Sequence, residues 1–222
     1  MNELKRVLIV TGGDIDVEFT KEYIREKEYT VIAVDGGLWV LHALGVKPEY
    51  VVGDFDTISG DILENYLERE DITVIRHNPV KDYTDTSSAV SLAMELCPDS
   101  IEILGGIGSR FDHSFANVLL LQRPLAAGVE AVIVNQQNRI RILGNQIKQV
   151  DLGDKLKYPY FSLLPLSKEV TGITVTGAKY PLEQKTFSMD KEISLGVSNE
   201  IEGAYATITI EYGLLLVVES AD

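Results

Sequence analysis

Short β-branched runs that alternate with stretches of helical period constrain this chain more than any other feature. The runs fall at residues 7–10, 31–34, 50–52, 72–75, 101–104 and 131–134. Between them, helical spacing of apolar residues is read at 17–27, 38–44, 61–69, 86–96 and 114–127. Ala89, Val90, Leu92, Ala93 and Leu96 show that spacing most clearly. Continuously apolar strands separated by helices predict a parallel sheet covered on both faces. Either Ser59 or Gly60 opens one helix, and Asp85 is expected to cap another.

The pattern changes after Gln136. Residues 139–143, 160–164, 173–176, 187 with 189, 193–195, 204–210 and 214–218 are β-rich and broken by turns such as Gly144-Asn145 and Gly153-Asp154. The expectation is an α/β chain with an N-terminal three-layer parallel-sheet domain, residues 1–140, followed by a small all-β sandwich domain, residues 141–222. A chain of 222 residues is long enough to bury a core in either arrangement.

Acidic and glycine-rich clusters sit at the ends of the runs, where an open parallel sheet binds its ligands. They are Thr11-Gly12-Gly13, Asp35-Gly36-Gly37, Gly53-Asp54-Phe55-Asp56, Lys81-Asp82-Tyr83-Thr84-Asp85, and the segment from Gly105 to His113. Acid-bearing loops on one edge repel each other unless a cation sits among them. That predicts a metal-bound polyphosphate site. Asp54 and Asp56, two apart on an extended segment, aim at one side, as ligands for a hard divalent cation require.

Asp82 and Asp85 flank the expected start of the Thr86 helix, and for Asp85 the N-cap is the structural alternative to a ligand. Lys81 is either a local ion-pair partner or a point charge on phosphate. In the Gly105–His113 segment the glycines permit close backbone approach to phosphate, and Arg110 can grip it bidentately. Asp112 is a candidate to hold a metal or to orient the nucleophile, and His113 to cap, bind phosphate or move a proton. No Gly-x-x-x-x-Gly-Lys-Ser/Thr loop and no Gly-x-Gly-x-x-Gly fingerprint occurs.

Charge excludes other classes. With a formal net charge of −14, the chain is a poor match for nucleic acid or an anionic membrane surface. Its field favours a cationic substrate, or a polyphosphate screened by metal. Cys97 is the only cysteine, which excludes an internal disulfide and a thiolate metal cage, and it is expected to fill core space. The four apolar residues from Val7 to Val10 are too few for a secretion signal, and no later run could span a bilayer, so a cytoplasmic location is expected.

Taken in order, these pieces resemble the thiamin pyrophosphokinase family. They are Asp35-Gly36-Gly37, Gly53-Asp54-Phe55-Asp56, Lys81-Asp82-x-Thr84-Asp85 and Gly105-Gly106-x-Gly108-x-Arg110-x-Asp112-His113. A fifth is Gly177-Ala178-Lys179-Tyr180-Pro181-Leu182 with Leu195-Gly196-Val197-Ser198-Asn199-Glu200. Family members often carry Trp at the position of Tyr180 and Ser or Thr at that of Val197.

The resemblance implies pyrophosphoryl transfer from ATP to the hydroxyethyl oxygen of thiamin, giving AMP and thiamin diphosphate. It implies a catalytic set of Asp54, Asp56, Asp85, Arg110, Asp112 and His113, and Mg2+ held from Asp54, Asp56, Asp82 and Asp85. ATP is expected at Gly12, Gly13, Asp35, Gly36, Gly37, Lys81, Gly106 and Arg110. Thiamin is expected at Tyr180, Ser198 and Asn199, in a homodimer with sites shared between subunits. Two alternatives stand beside it. One is a haloacid-dehalogenase-like phosphatase with Asp54 as nucleophile and Asp56 as acid/base. The other is a nucleotide-sensing module without catalysis.

Overall fold

The computed structural model describes residues 4–55, 60–76 and 83–222, so Asp56, Lys81 and Asp82 lie outside the described residues. The chain divides into two compact units. The first is residues 1–120 with 133–136, and the second is residues 121–132 with 137–222.

The first unit alternates strand and helix in chain order. It contains β1 (Arg6–Val10), α1 (Val17–Arg25), β2 (Thr30–Val34), α2 (Gly37–Ala43), β3 (Tyr50–Gly53), α3 (Gly60–Leu67), β4 (Thr73–Arg76), α4 (Asp85–Glu95), β5 (Ser100–Leu104) and α5 (Phe111–Leu120). The strands lie in the order β4-β3-β2-β1-β5, all parallel. From their second residue, β1, β2 and β5 are buried throughout, as expected of strands covered on both faces. Because β1 lies between β2 and β5, the chain direction across the sheet reverses there, and that reversal opens a crevice above the strand ends.

Local chemistry sets the helix starts. Asp16 caps α1 by accepting from the Phe19 amide at 2.7 Å. At α4 the cap is Thr84, whose hydroxyl accepts from the Ser87 amide at 3.2 Å. Asp85 is therefore the first helical residue rather than the cap. The helix expected at 114–127 begins earlier, at Phe111, and breaks after Leu120 into α5 and α6 (Gln122–Ala126), with Pro124 inside the second piece. Cys97 is exposed rather than buried. It lies just past α4 with φ +52, where the chain leaves the helix and turns the thiol to solvent.

In this unit Glu102 on β5 is buried and accepts hydrogen bonds from Tyr23, from Tyr29 at 2.9 Å and from Lys27 at 2.8 Å. Burial pushes its carboxyl up, but the three hydrogen bonds with the Lys27 charge outweigh that and hold it below the ordinary glutamate value.

β6 (Glu130–Val134) carries the division between the units. The second unit then contains β7 (Asn138–Leu143), β8 (Gln149–Leu152), β9 (Tyr160–Pro165), β10 (Glu169–Thr176), β11 (Leu182–Ser188), β12 (Gly196–Glu200), β13 (Ala206–Thr209) and β14 (Leu215–Ser220). Strands β12-β9-β14-β7 run side by side antiparallel, and β11-β10-β13-β8 form a separate antiparallel sheet. Their inward residues, including Phe161, Leu163, Val170, Ile173, Phe187, Ile208, Leu215 and Val217, form one core.

Residues 193–195, expected as strand, are a turn, and Leu195 is exposed. β8 is an addition that its short, partly polar sequence did not announce. At one position along β14 the core is charged. Glu219 is fully buried and meets Arg141 at 2.9 Å and Arg139 at 3.6 Å. The α/β unit followed by a β-sandwich is the fold class that the sequence implied.

Candidate active site

In the first unit a cavity of about 630 Å³ opens at the carboxyl ends of β1, β2, β3 and β5. Five separate segments line it. The end of β1 supplies Thr11, Gly12 and Gly13, that of β2 supplies Asp35 and Gly36, and that of β3 supplies Asp54. The start of α4 adds Thr84, Asp85 and Thr86. The β5–α5 connection adds Gly105, Gly106, Gly108, Ser109, Arg110 and His113, with Ser114 and Asn117 from the first turns of α5.

These loops interlock backbone to backbone. The Gly13 amide donates to the Gly105 carbonyl at 3.0 Å and the Asp14 amide to that of Ile107 at 2.8 Å. A Cβ added to Gly13 would overlap the Gly105 oxygen and stand 2.5 Å from that of Ile107. Only a glycine permits that approach. Gly37 does not line the cavity; it packs where a Cβ would run into the Val10 carbonyl, so α2 begins tight against the end of β1.

The backbone around Asp54 is held in uncommon conformations. Asp35 has φ +44 and Phe55, which is buried, has φ +63. Non-glycine residues in this region cost about 1 kcal/mol or more each, and such conformations gather at functional sites. The Asp35 amide donates to the Val52 carbonyl at 3.2 Å, which ties the ends of β2 and β3 together.

Side chains that the sequence did not single out fix the glycine-rich loop. Asn117, buried on α5, donates to the Gly106 carbonyl at 2.8 Å. The Ser114 hydroxyl accepts from the Gly108 amide at 3.0 Å and lies 3.0 Å from the Arg110 carbonyl. Thr11 and Thr86 meet through their hydroxyls at 3.3 Å, joining the end of β1 to the start of α4. The legible signal was positional. Ser114 and Asn117 are polar residues three apart on the buried face of a helix that follows a glycine-rich turn.

Among the ionisable side chains lining the cavity, the carboxylates Asp35, Asp54 and Asp85 share it with the Arg110 guanidinium and the His113 imidazole. Arg110 engages Asp112 through two hydrogen bonds, at 2.6 and 3.3 Å, and that contact holds the Asp112 carboxyl below its ordinary value. Asp112 itself is not among the cavity-lining residues. Among the described residues no three carboxylate, histidine or cysteine side chains stand close enough to form a metal cage. Oxygen donors spread over separate loops still fit a hard divalent cation, which takes one or two carboxylates and fills its remaining positions with water and phosphate.

The thiamin-directed candidates lie in the second unit. Tyr180 is 58% exposed, and Ser198, also exposed, has φ +60 on β12. Asn199 is buried with its amide bonded to the Tyr180 backbone.

Two family models match the chain, one in each part of the sequence. The family model described as thiamin pyrophosphokinase, catalytic domain, matches residues 20–133, and the one described as thiamin pyrophosphokinase, vitamin B1 binding domain, matches residues 146–215. A thiamine pyrophosphokinase from Bacillus subtilis strain 168 is 27% identical, over 99% of this chain and all of the relative. The crystal structure of a B. subtilis thiamine pyrophosphokinase superposes with a TM-score of 0.87 at 28% identity, covering 98% of this chain and 100% of that one. The thiamin pyrophosphokinase of Geobacillus thermodenitrificans superposes with a TM-score of 0.84 at 28% identity, covering 98% of each chain. The phosphatase and nucleotide-sensor alternatives find no support in these matches. The chain belongs to the thiamin pyrophosphokinase family.

Proposed function

We propose that this chain transfers a pyrophosphoryl group from ATP to thiamin, releasing AMP and thiamin diphosphate. The observation that carries the reading is the strand-edge cavity. It brings glycine backbone, carboxylates, Arg110 and His113 together in a chain that matches both the catalytic and the vitamin B1 binding models.

ATP is read into this cavity, with its phosphates against Gly12, Gly13, Gly36 and Gly106 and its charge met by Arg110. Lys81, outside the described residues, is a second cation for the same role. The hydroxyethyl oxygen of thiamin attacks the β-phosphorus, and the bond from that phosphorus to the α–β bridging oxygen breaks. AMP leaves with the bridging oxygen. His113 lines the cavity whereas Asp112 is held by Arg110, which supports His113 as the acceptor of the alcohol proton and Asp112 as a partner that aims the guanidinium.

Asp54 and Asp85, with Asp56 and Asp82 outside the described residues, would hold Mg2+. When bound, such a cation would offset charge on the polyphosphate. Apart from the proton taken by His113, the chemistry is positioning and electrostatic stabilisation by fixed groups.

Tyr180, Ser198 and Asn199 form the thiamin side. We read them as completing the cavity of a second copy in a cytoplasmic homodimer, a reading that rests on the family resemblance. Functionally, residues 1–140 would serve ATP and metal, and residues 141–222 would serve thiamin.

The test is a chromatographic assay with ATP, Mg2+ and thiamin. AMP and thiamin diphosphate should appear in equal amounts. ADP with thiamin monophosphate would overturn the reading.

A further inference from the structure

We infer that Asn199 is a positioning residue for the thiamin side of the site: its amide fixes the Tyr180 backbone and does not itself contact thiamin. The inference rests on the reading of Tyr180 as a thiamin contact.

The local chain explains why such a clamp is needed. Lys179 donates to the Glu200 carbonyl at 3.0 Å, and Ala178 bridges to Ile201 in antiparallel sense. Tyr180 comes next, followed by Pro181, which has no amide hydrogen to add to a ladder. At this point the Asn199 side chain takes over the pairing. Its Oδ1 accepts from the Tyr180 amide at 3.0 Å and its Nδ2 donates to the Tyr180 carbonyl at 2.8 Å. The primary amide thus presents to Tyr180 the donor and acceptor that a neighbouring strand would.

The same Oδ1 also accepts from the Glu200 amide at 2.9 Å. An asparagine offers two acceptor lone pairs and two N–H donors, so both lone pairs and one donor are engaged. With the residue only 7% exposed, little of the amide is left for a ligand.

Irregular pairing on β12 turns the side chain this way. The register shifts between Gly196 and Asn199, Ser198 has φ +60, and the Ser198 amide donates to the Ser162 hydroxyl at 3.2 Å. Such a bulge re-aims the neighbouring side chain. The outcome is a largely exposed aromatic ring on a backbone held from below. Fixing a recognition side chain before binding lowers the ordering cost that the ligand must otherwise meet.

A double-mutant cycle, joined to amide exchange, tests this. In Asn199→Ala the exchange rate of the Tyr180 amide should rise about tenfold or more, because a bond that held it closed is gone. The KM for thiamin should rise in Asn199→Ala and in Tyr180→Ala, with the ATP constant moving less than about twofold. In the Tyr180→Ala background, adding Asn199→Ala should change the thiamin constant by less than about twofold, since residues acting as one unit are not additive. If Asn199→Ala does not fold, Asn199→Asp serves. It keeps the acceptor for the Tyr180 and Glu200 amides but sets an oxygen against the Tyr180 carbonyl.

Unchanged protection of the Tyr180 amide overturns the clamp. Additive thiamin effects overturn it too, since they mean that Asn199 touches thiamin directly. If Tyr180→Ala alone leaves the thiamin constant unchanged, the reading of Tyr180 as a contact fails, and with it the positioning role.

Discussion

Replacing Gly13 with alanine probes the interlock of the β1 and β5 loops, to which the proposed function assigns ATP. The new Cβ would fall within the van der Waals shell of the Gly105 carbonyl oxygen and 2.5 Å from that of Ile107, both backbone atoms that no rotamer change can move. Carbon and carbonyl oxygen settle no closer than about 3.3 Å, so the two loops must part by about 1 Å. That separation strains or breaks the bonds from Gly13 to Gly105 and from Asp14 to Ile107, each worth about 1 kcal/mol net. Overpacking adds about 1–3 kcal/mol. The sum is a loss of about 3–5 kcal/mol, or a fall in Tm of about 6–20 °C in a chain of this size.

Gly153→Ala is the matched control, because an added Cβ there meets nothing within 4 Å. It should change stability by less than about 0.5 kcal/mol. Circular dichroism during heating reads both variants, and the ATP constant of Gly13→Ala at low temperature should rise while the thiamin constant holds. If Gly13→Ala melts with Gly153→Ala, the loops are not interlocked as described and the account of the cavity floor is wrong.

The remaining predictions concern charge. Asp54→Asn should lower kcat by about a hundredfold or more, because it removes a carboxylate assigned to the cation on the transferring group, with the fold unchanged by circular dichroism. Near-normal turnover would remove Asp54 from the metal set. Glu219→Ala strips Arg141 and Arg139 of their buried carboxylate and should cost about 3 kcal/mol or more in denaturant unfolding, whereas a loss under about 1 kcal/mol would mean that the cluster is solvated. Glu102 is held below its ordinary value, so its ionised form adds stability above the unfolded pKa of about 4.3, and that stability drains away as pH falls through the folded value. The stability gap between the parent and Glu102→Gln should therefore be widest near neutrality and narrow below about pH 4. A gap constant with pH would show that the charge is not what Tyr23, Tyr29 and Lys27 recognise.

The sheet edge was legible because physics wrote it twice. Continuous β-branched runs named the strands, and glycine or aspartate just after each run named the loops that must gather at one edge. That logic found Asp35, Asp54, Asp85 and Arg110 in the cavity lining. It could not find Thr86, Ser114 or Asn117, whose work is to hold loops together through contacts between residues far apart in sequence or around one helical turn. Thr84 and Asp85 are both good caps, and only the backbone decides which lies outside the helix. Cys97 misled because an apolar helical run stops just before it, and burial depends on which way the chain turns at that stop. In the sandwich, Leu195 looked like strand because it is apolar, yet the register of Gly196–Glu200 against Tyr160–Pro165 leaves it in the preceding turn.

Transfer of the pyrophosphoryl group intact, in one step, distinguishes the proposed reaction from stepwise phosphorylation. ATP labelled at its β-phosphorus, mixed with Mg2+ and thiamin, tests it directly. The label should leave ATP only as thiamin diphosphate, with unlabelled AMP formed in equal amount. Label retained in ADP, with thiamin monophosphate as the other product, would contradict it.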